Sequence, residues 1–102
     1  MRRGMNTFYT RIWLKMPYNI LVGRTAQKEY IKIIRAQLKE KVDALVAILE
    51  VNPWQYPPPF EPLIGDLEDF YSRRINYQHR LVYQVDEKNR EVKIERMWSH
   101  YE

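Results

Sequence analysis

Residues 71–102 read YSRRINYQHRLVYQVDEKNREVKIERMWSHYE. Within this stretch Leu81, Tyr83 and Val85 alternate with Arg80, Val82 and Gln84, the period of two that marks a strand with one covered face. Asn76–Gln78 and Asp86–Asn89 supply the polar residues of tight turns. Three strands are therefore expected near Phe70–Asn76, His79–Asp86 and Glu91–Trp98, joined as an antiparallel meander. The alternation turns Leu81, Tyr83 and Val85 toward the rest of the protein and sends Arg80 to the opposite, open face.

Upstream of the meander, Leu63-Ile64-Gly65-Asp66 reads as a turn. Pro57-Pro58-Pro59 predicts an extended, polyproline-like connection that presents Phe60 and Glu61 in a fixed orientation. Asn52-Pro53 closes a helical region. Its apolar stripe runs through Ala26, Tyr30, Ile33, Ile34, Leu38, Val42, Leu45, Val46 and Leu49 at spacings of three and four. Thr25 stands where an N-cap belongs. No Gly or Pro interrupts residues 24–52, yet one rod from Thr25 to Leu49 would be about 37 Å long. A domain of this size has a radius of gyration near 13 Å, roughly. A break around Arg35–Gln37 is thus expected, giving a helical hairpin, with one long helix as the alternative. Tyr18–Val22, ended by Gly23, predicts the first strand. The order is strand, two helices, three strands: an α+β domain over residues 17–102, preceded by an extension at 1–16.

The chain has 102 residues, 45% of them hydrophobic, enough for one core. Cysteine is absent, which excludes a disulfide framework and a cysteine-based zinc site and fits a reducing, cytoplasmic setting. No apolar run approaches the roughly 20 residues that cross a bilayer. The basic start (Arg2, Arg3, Arg11) lacks the apolar core of a secretion signal. A formal charge of +4 favours polyanionic or acidic partners. No metal-ligand spacing, Gly-rich phosphate loop or serine or cysteine triad is present, so no cofactor or metal is expected.

The ordered pattern SRRI (72–75), HRLVY (79–83) and His100-Tyr101, with FEPL at 60–63, resembles the YoeB/Txe toxins within the RelE-like group of bacterial type II toxin–antitoxin systems. The resemblance implies a RelE/ParE-like fold and a ribosome-dependent endoribonuclease, an mRNA interferase. It implies as partners a YefM/Axe-like antitoxin, the small-subunit decoding site with its mRNA, and a second copy of the toxin. It also implies operator DNA reached only through the antitoxin. ParE-like inhibition of gyrase and a non-catalytic ribosome-binding module are the alternatives. Where YoeB-type sequences usually approach the glutamate through Gly and Lys, this chain has prolines and Phe60.

Cutting RNA without a metal needs a base for the 2′-hydroxyl, a cation at the phosphoryl oxygens and an acid for the departing 5′-oxygen. By the resemblance these are Glu61, Arg80 and His100, with Tyr101 stacking on a base or orienting the scissile nucleotide. A guanidinium holds two phosphoryl oxygens at once, and an imidazole gives up a proton near neutrality. Arg73 and Arg74 point to opposite faces of their strand, so one of them should join an RNA-contacting surface. His79 is expected to contact backbone or phosphate. Trp54, Tyr56 and Phe60 are expected to cover the sheet edge, or one of them to stack on a base.

Overall fold

In the computed structural model, which describes residues 17–65 and 69–98, the apolar run before Gly23 forms strand β1 (Asn19–Val22). Gly23 turns the chain into helix α1 (Arg24–Arg35), and its N–H donates to the carbonyl of Ile94 at 2.9 Å. A Cβ at Gly23 would come 3.3 Å from that same oxygen, so a side chain there would make the strand give by a few tenths of an ångström. Gly23, not Thr25, is the N-cap, and no side chain caps the helix. Thr25→Ala is therefore expected to stay within about 0.5 kcal/mol of wild type in urea unfolding, where losing a true cap costs about 1 kcal/mol. A loss of the larger size would restore Thr25 to that role.

The helical region breaks where its length requires. Leu38 N–H donates to Ile33 O and Gln37 N–H to Ile34 O, both at 3.0 Å, and Gln37 has φ +62°. This is a Schellman closure with glutamine in the left-handed position usually held by glycine. Leu38 then packs on the core, and helix α2 (Lys39–Val51) runs to Asn52.

Strands β2 (Glu61–Pro62), β3 (Phe70–Arg74), β4 (Arg80–Asp86) and β5 (Glu91–Arg96) join β1 in a five-stranded sheet, ordered β1-β5-β4-β3-β2. The meander is as expected. Two additions are not: β1 pairs parallel with β5, Ile20 opposite Val92, and the two-residue β2 adds the far edge beside β3. So Glu61 sits on the sheet and not on a loop before it. The helices cover one face, where Ala26, Ile33, Val42, Leu45 and Leu49 meet Leu81, Tyr83, Val92 and Ile94 in one buried cluster.

The connection from α2 to β2 departs from the expected polyproline stretch. It turns at Pro53–Trp54 and bends at Pro57–Pro58, with cis bonds at Tyr56–Pro57 and Pro57–Pro58. Trp54, Phe60 and Tyr71 meet edge-on or tilted, with ring centres 5.0–6.0 Å apart. Trp54 and Phe60 thus pack over the sheet edge as expected, whereas Tyr56 touches only the Phe60 ring, centres 6.0 Å apart, and is otherwise exposed.

Candidate active-site cleft

Strand register decides which side chains meet. Glu61 lies opposite Ser72, Ser72 opposite Val82, and Arg74 opposite Arg80. Cross-strand partners share a face, so Glu61, Ser72, Arg74 and Arg80 stand together on the face away from Tyr71, Arg73, Leu81 and Tyr83. Arg80 Nη1 donates to Ser72 Oγ at 2.9 Å, and its Nη2 lies 3.8 Å from Glu61 Oε1. With Pro58, Pro59 and Phe60 these residues line a cleft of about 160 Å³. Pockets that engulf small molecules hold roughly 300–1,000 Å³, so this one is too small to enclose such a molecule.

The two opposite charges in the cleft are unequally exposed. Arg80 is mostly covered, its side chain 20% exposed, while Glu61 is 67% exposed. A separation of 3.8 Å exceeds the roughly 2.7–2.9 Å of a direct charge-assisted bond, and a pair this wet contributes at most about 1 kcal/mol. The two charges can therefore part around an incoming oxygen at little cost. Arg74 is exposed at the rim, where its Nη1 donates to the carbonyls of Tyr77 and Asn76 at 3.2 and 3.5 Å.

Arg73, the other member of the SRR pair, is fully buried. Its Nη2 donates to the carbonyls of Pro53 and Gln55, both at 2.9 Å, and its Nη1 to that of Pro58. Its Nε donates to Tyr83 Oη at 3.2 Å, and the guanidinium carbon sits 4.8 Å from the centre of the Phe60 ring. Arg73 is thus enclosed by the proline segment and cannot contact RNA, so Arg74 is the one of the pair left exposed on the opposite face. Burial raises the pKa of the Tyr83 hydroxyl, outweighing the lowering by Arg73, so it stays protonated and donates to Pro53 O.

His79 is also covered, 4% exposed, and stacks on Trp98 with ring centres 3.9 Å apart. Of the backbone or phosphate contact expected of His79, the backbone part is present, its carbonyl accepting Ile75 N–H at 2.9 Å, and its ring packing lays Trp98 beside the neighbour of Arg80. Sequence reading missed Glu29, which secures the same end of the chain. Its carboxylate accepts the backbone N–H groups of Met97 (2.7 Å) and Trp98 (3.0 Å) and pairs with Arg96 at 2.9 Å. Burial alone would raise the Glu29 pKa, but the Arg96 bond, the two N–H groups and the Arg96 charge together hold it below the usual carboxylate range. The signal for Glu29 was there to be read: it is the only acid of α1 and falls on its apolar side, beside Ala26 and Ile33. His100 and Tyr101 lie outside the described residues.

Residues 25–101 match the family described as YoeB-like toxin of bacterial type II toxin-antitoxin system. The chain belongs to that family. It is 38% identical over 47 residues to Toxin YoeB of Streptomyces coelicolor, a match covering 46% of this chain and 56% of that protein. The chain thus spans little more than half the length of that curated relative. Among solved structures, the YoeB/ParE toxin from Agrobacterium tumefaciens is 27% identical with a TM-score of 0.74, over 81% of this chain and 99% of its own. The YoeB toxin from Staphylococcus aureus, solved as a dimer, is 31% identical with a TM-score of 0.71, over 83% and 99%. A YoeB–YefM complex from Staphylococcus aureus is similar as well, its matched chain 31% identical with a TM-score of 0.70. The fold of this YoeB-like toxin is accordingly RelE-like, an α+β sheet with a helical hairpin on one face. The family match runs in sequence through both His100 and Tyr101.

Proposed function

We propose that this YoeB-like toxin is a ribosome-dependent endoribonuclease that cuts messenger RNA in the decoding site and so halts translation. The observation that supports it is the meeting of Glu61 and Arg80 across one small cationic cleft. Glu61, open to solvent, takes the proton of a ribose 2′-hydroxyl. The 2′-oxygen attacks the adjacent phosphorus while Arg80, with Arg74 at the rim, holds the phosphoryl oxygens. His100 protonates the departing 5′-oxygen, and Tyr101 stacks on a neighbouring base. The products are a 2′,3′-cyclic phosphate, or the 3′-phosphate from its hydrolysis, and a free 5′-hydroxyl. The ribosome contributes by holding the message ready for attack.

Two relationships extend this reading. An acidic, partly disordered antitoxin of the YefM kind inhibits the toxin by covering its basic face, and carries the complex to DNA. The toxin self-associates as a dimer in the cytoplasm, as the Staphylococcus aureus toxin was solved. The shared name of the Agrobacterium protein also raises gyrase inhibition, the ParE activity. Purified toxin with ribosomes and labelled message separates the two: cyclic-phosphate fragments are expected, whereas intact message with blocked gyrase supercoiling would replace the nuclease reading.

A further inference from the structure

Arg73 is a buried cation, and the bonds that satisfy it are unusual in kind. Every acceptor the structure gives its guanidinium is neutral: the carbonyls of Pro53, Gln55 and Pro58 and the hydroxyl of Tyr83. Burying a guanidinium is expensive unless its donors are all engaged. An apolar side chain of that volume would fill the space without that cost. What only the planar fork does is bind several carbonyls of one irregular segment at once.

That segment matters because it leads straight into β2 and Glu61. Pro57, Pro58 and Pro59 carry no N–H to donate, and backbone pairing of the stretch with β3 begins only at Glu61. Arg73 projects from β3, on the side opposite Ser72, and reaches positions 53, 55 and 58. Phe60 lies against the same guanidinium. The next residue is Glu61, set opposite Ser72 and within 3.8 Å of Arg80.

We propose that Arg73 is a positioning residue: it clamps residues 53–60 to the sheet, with Tyr83 bracing it, and thereby fixes the Glu61 carboxylate against Arg80. The inference rests on the reading of Glu61 as general base, while the clamp itself can be tested without it. A carboxylate displaced by about 1 Å costs on the order of 10²-fold in rate while binding is hardly changed. An arginine that only stabilised the fold would lower the folded fraction and leave the folded molecules equally fast.

The test uses the full-length toxin, with Arg73→Lys keeping the charge but losing the fork. Tyr83→Phe keeps the ring, and decides the matter alone if the lysine variant does not fold. Single-turnover cleavage of ribosome-bound message, corrected for folded fraction, is expected to fall about 10²-fold for Arg73→Lys and about tenfold for Tyr83→Phe. The half-saturating ribosome concentration should stay within about threefold. In parallel, hydrogen exchange at the bonded amides of Gln55 and Glu61 should speed up about tenfold while β4 and β5 amides hold. Wild-type cleavage rates in folded variants, or unchanged exchange in the segment, would overturn the proposal. A wild-type protein that leaves message intact sinks the nuclease reading instead, and the exchange arm then decides the clamp.

Discussion

Glu61→Gln is expected to slow message cleavage by about 10²–10⁴-fold, the usual contribution of a positioned general base, while unfolding free energy changes by less than about 0.5 kcal/mol. The two halves of this expectation have one cause. Glu61 is 67% exposed and 3.8 Å from Arg80, so its charge does little for the fold. Glutamine keeps the shape and the strand position but cannot take a proton. The comparison of rate with stability therefore separates a chemical role from a structural one. A glutamine variant that cuts at more than about a tenth of the wild-type rate would move the base elsewhere in the cleft.

Glu29→Ala should have the opposite profile, a stability loss of about 3 kcal/mol in denaturant unfolding. Removing one partner of a buried ion pair costs roughly 3–5 kcal/mol, and two backbone donors, at Met97 and Trp98, would lose their acceptor. Arg96, whose side chain is 40% exposed, can rehydrate, which sets the value at the low end. Against a total of roughly 5–15 kcal/mol this is a large share. The same carboxylate predicts a pH dependence. Its folded pKa is depressed, so its contribution is fully present above the ordinary glutamate value of about 4.3 and is lost as pH falls through the folded value. Glu29→Gln should flatten that part of the curve relative to wild type. Parallel curves for the two proteins would mean that the carboxylate does not carry the acid sensitivity.

Much of this fold was legible because two periods are written clearly in the chain. The alternation around Leu81, Tyr83 and Val85 gave the meander and placed Arg80 on the face away from the helices, although that face is mostly covered around Arg80. Length gave the helix break, although Gln37 performs the turn without a glycine to advertise it. What stayed hidden depends on contacts between distant residues. A two-residue strand at Glu61–Pro62 has no periodicity to read, and prolines made it look like linker. Arg73 and Arg74 are chemically identical neighbours, and only the packing of residues 53–60 over one face shows which is enclosed. The candidate cleft was therefore half readable: Glu61 and Arg80 could be named from residue type and resemblance, while Ser72 and the role of Arg73 needed the register.

The most direct measurement is a double-mutant cycle on single-turnover cleavage of ribosome-bound message, using Glu61→Gln, Arg80→Lys and the double variant. If both groups act on one phosphodiester, the double variant should be only a few-fold slower than the slower single variant, because groups that work as a unit are strongly non-additive. Losses that simply multiply, or a wild-type toxin that yields no fragments, would contradict a shared site.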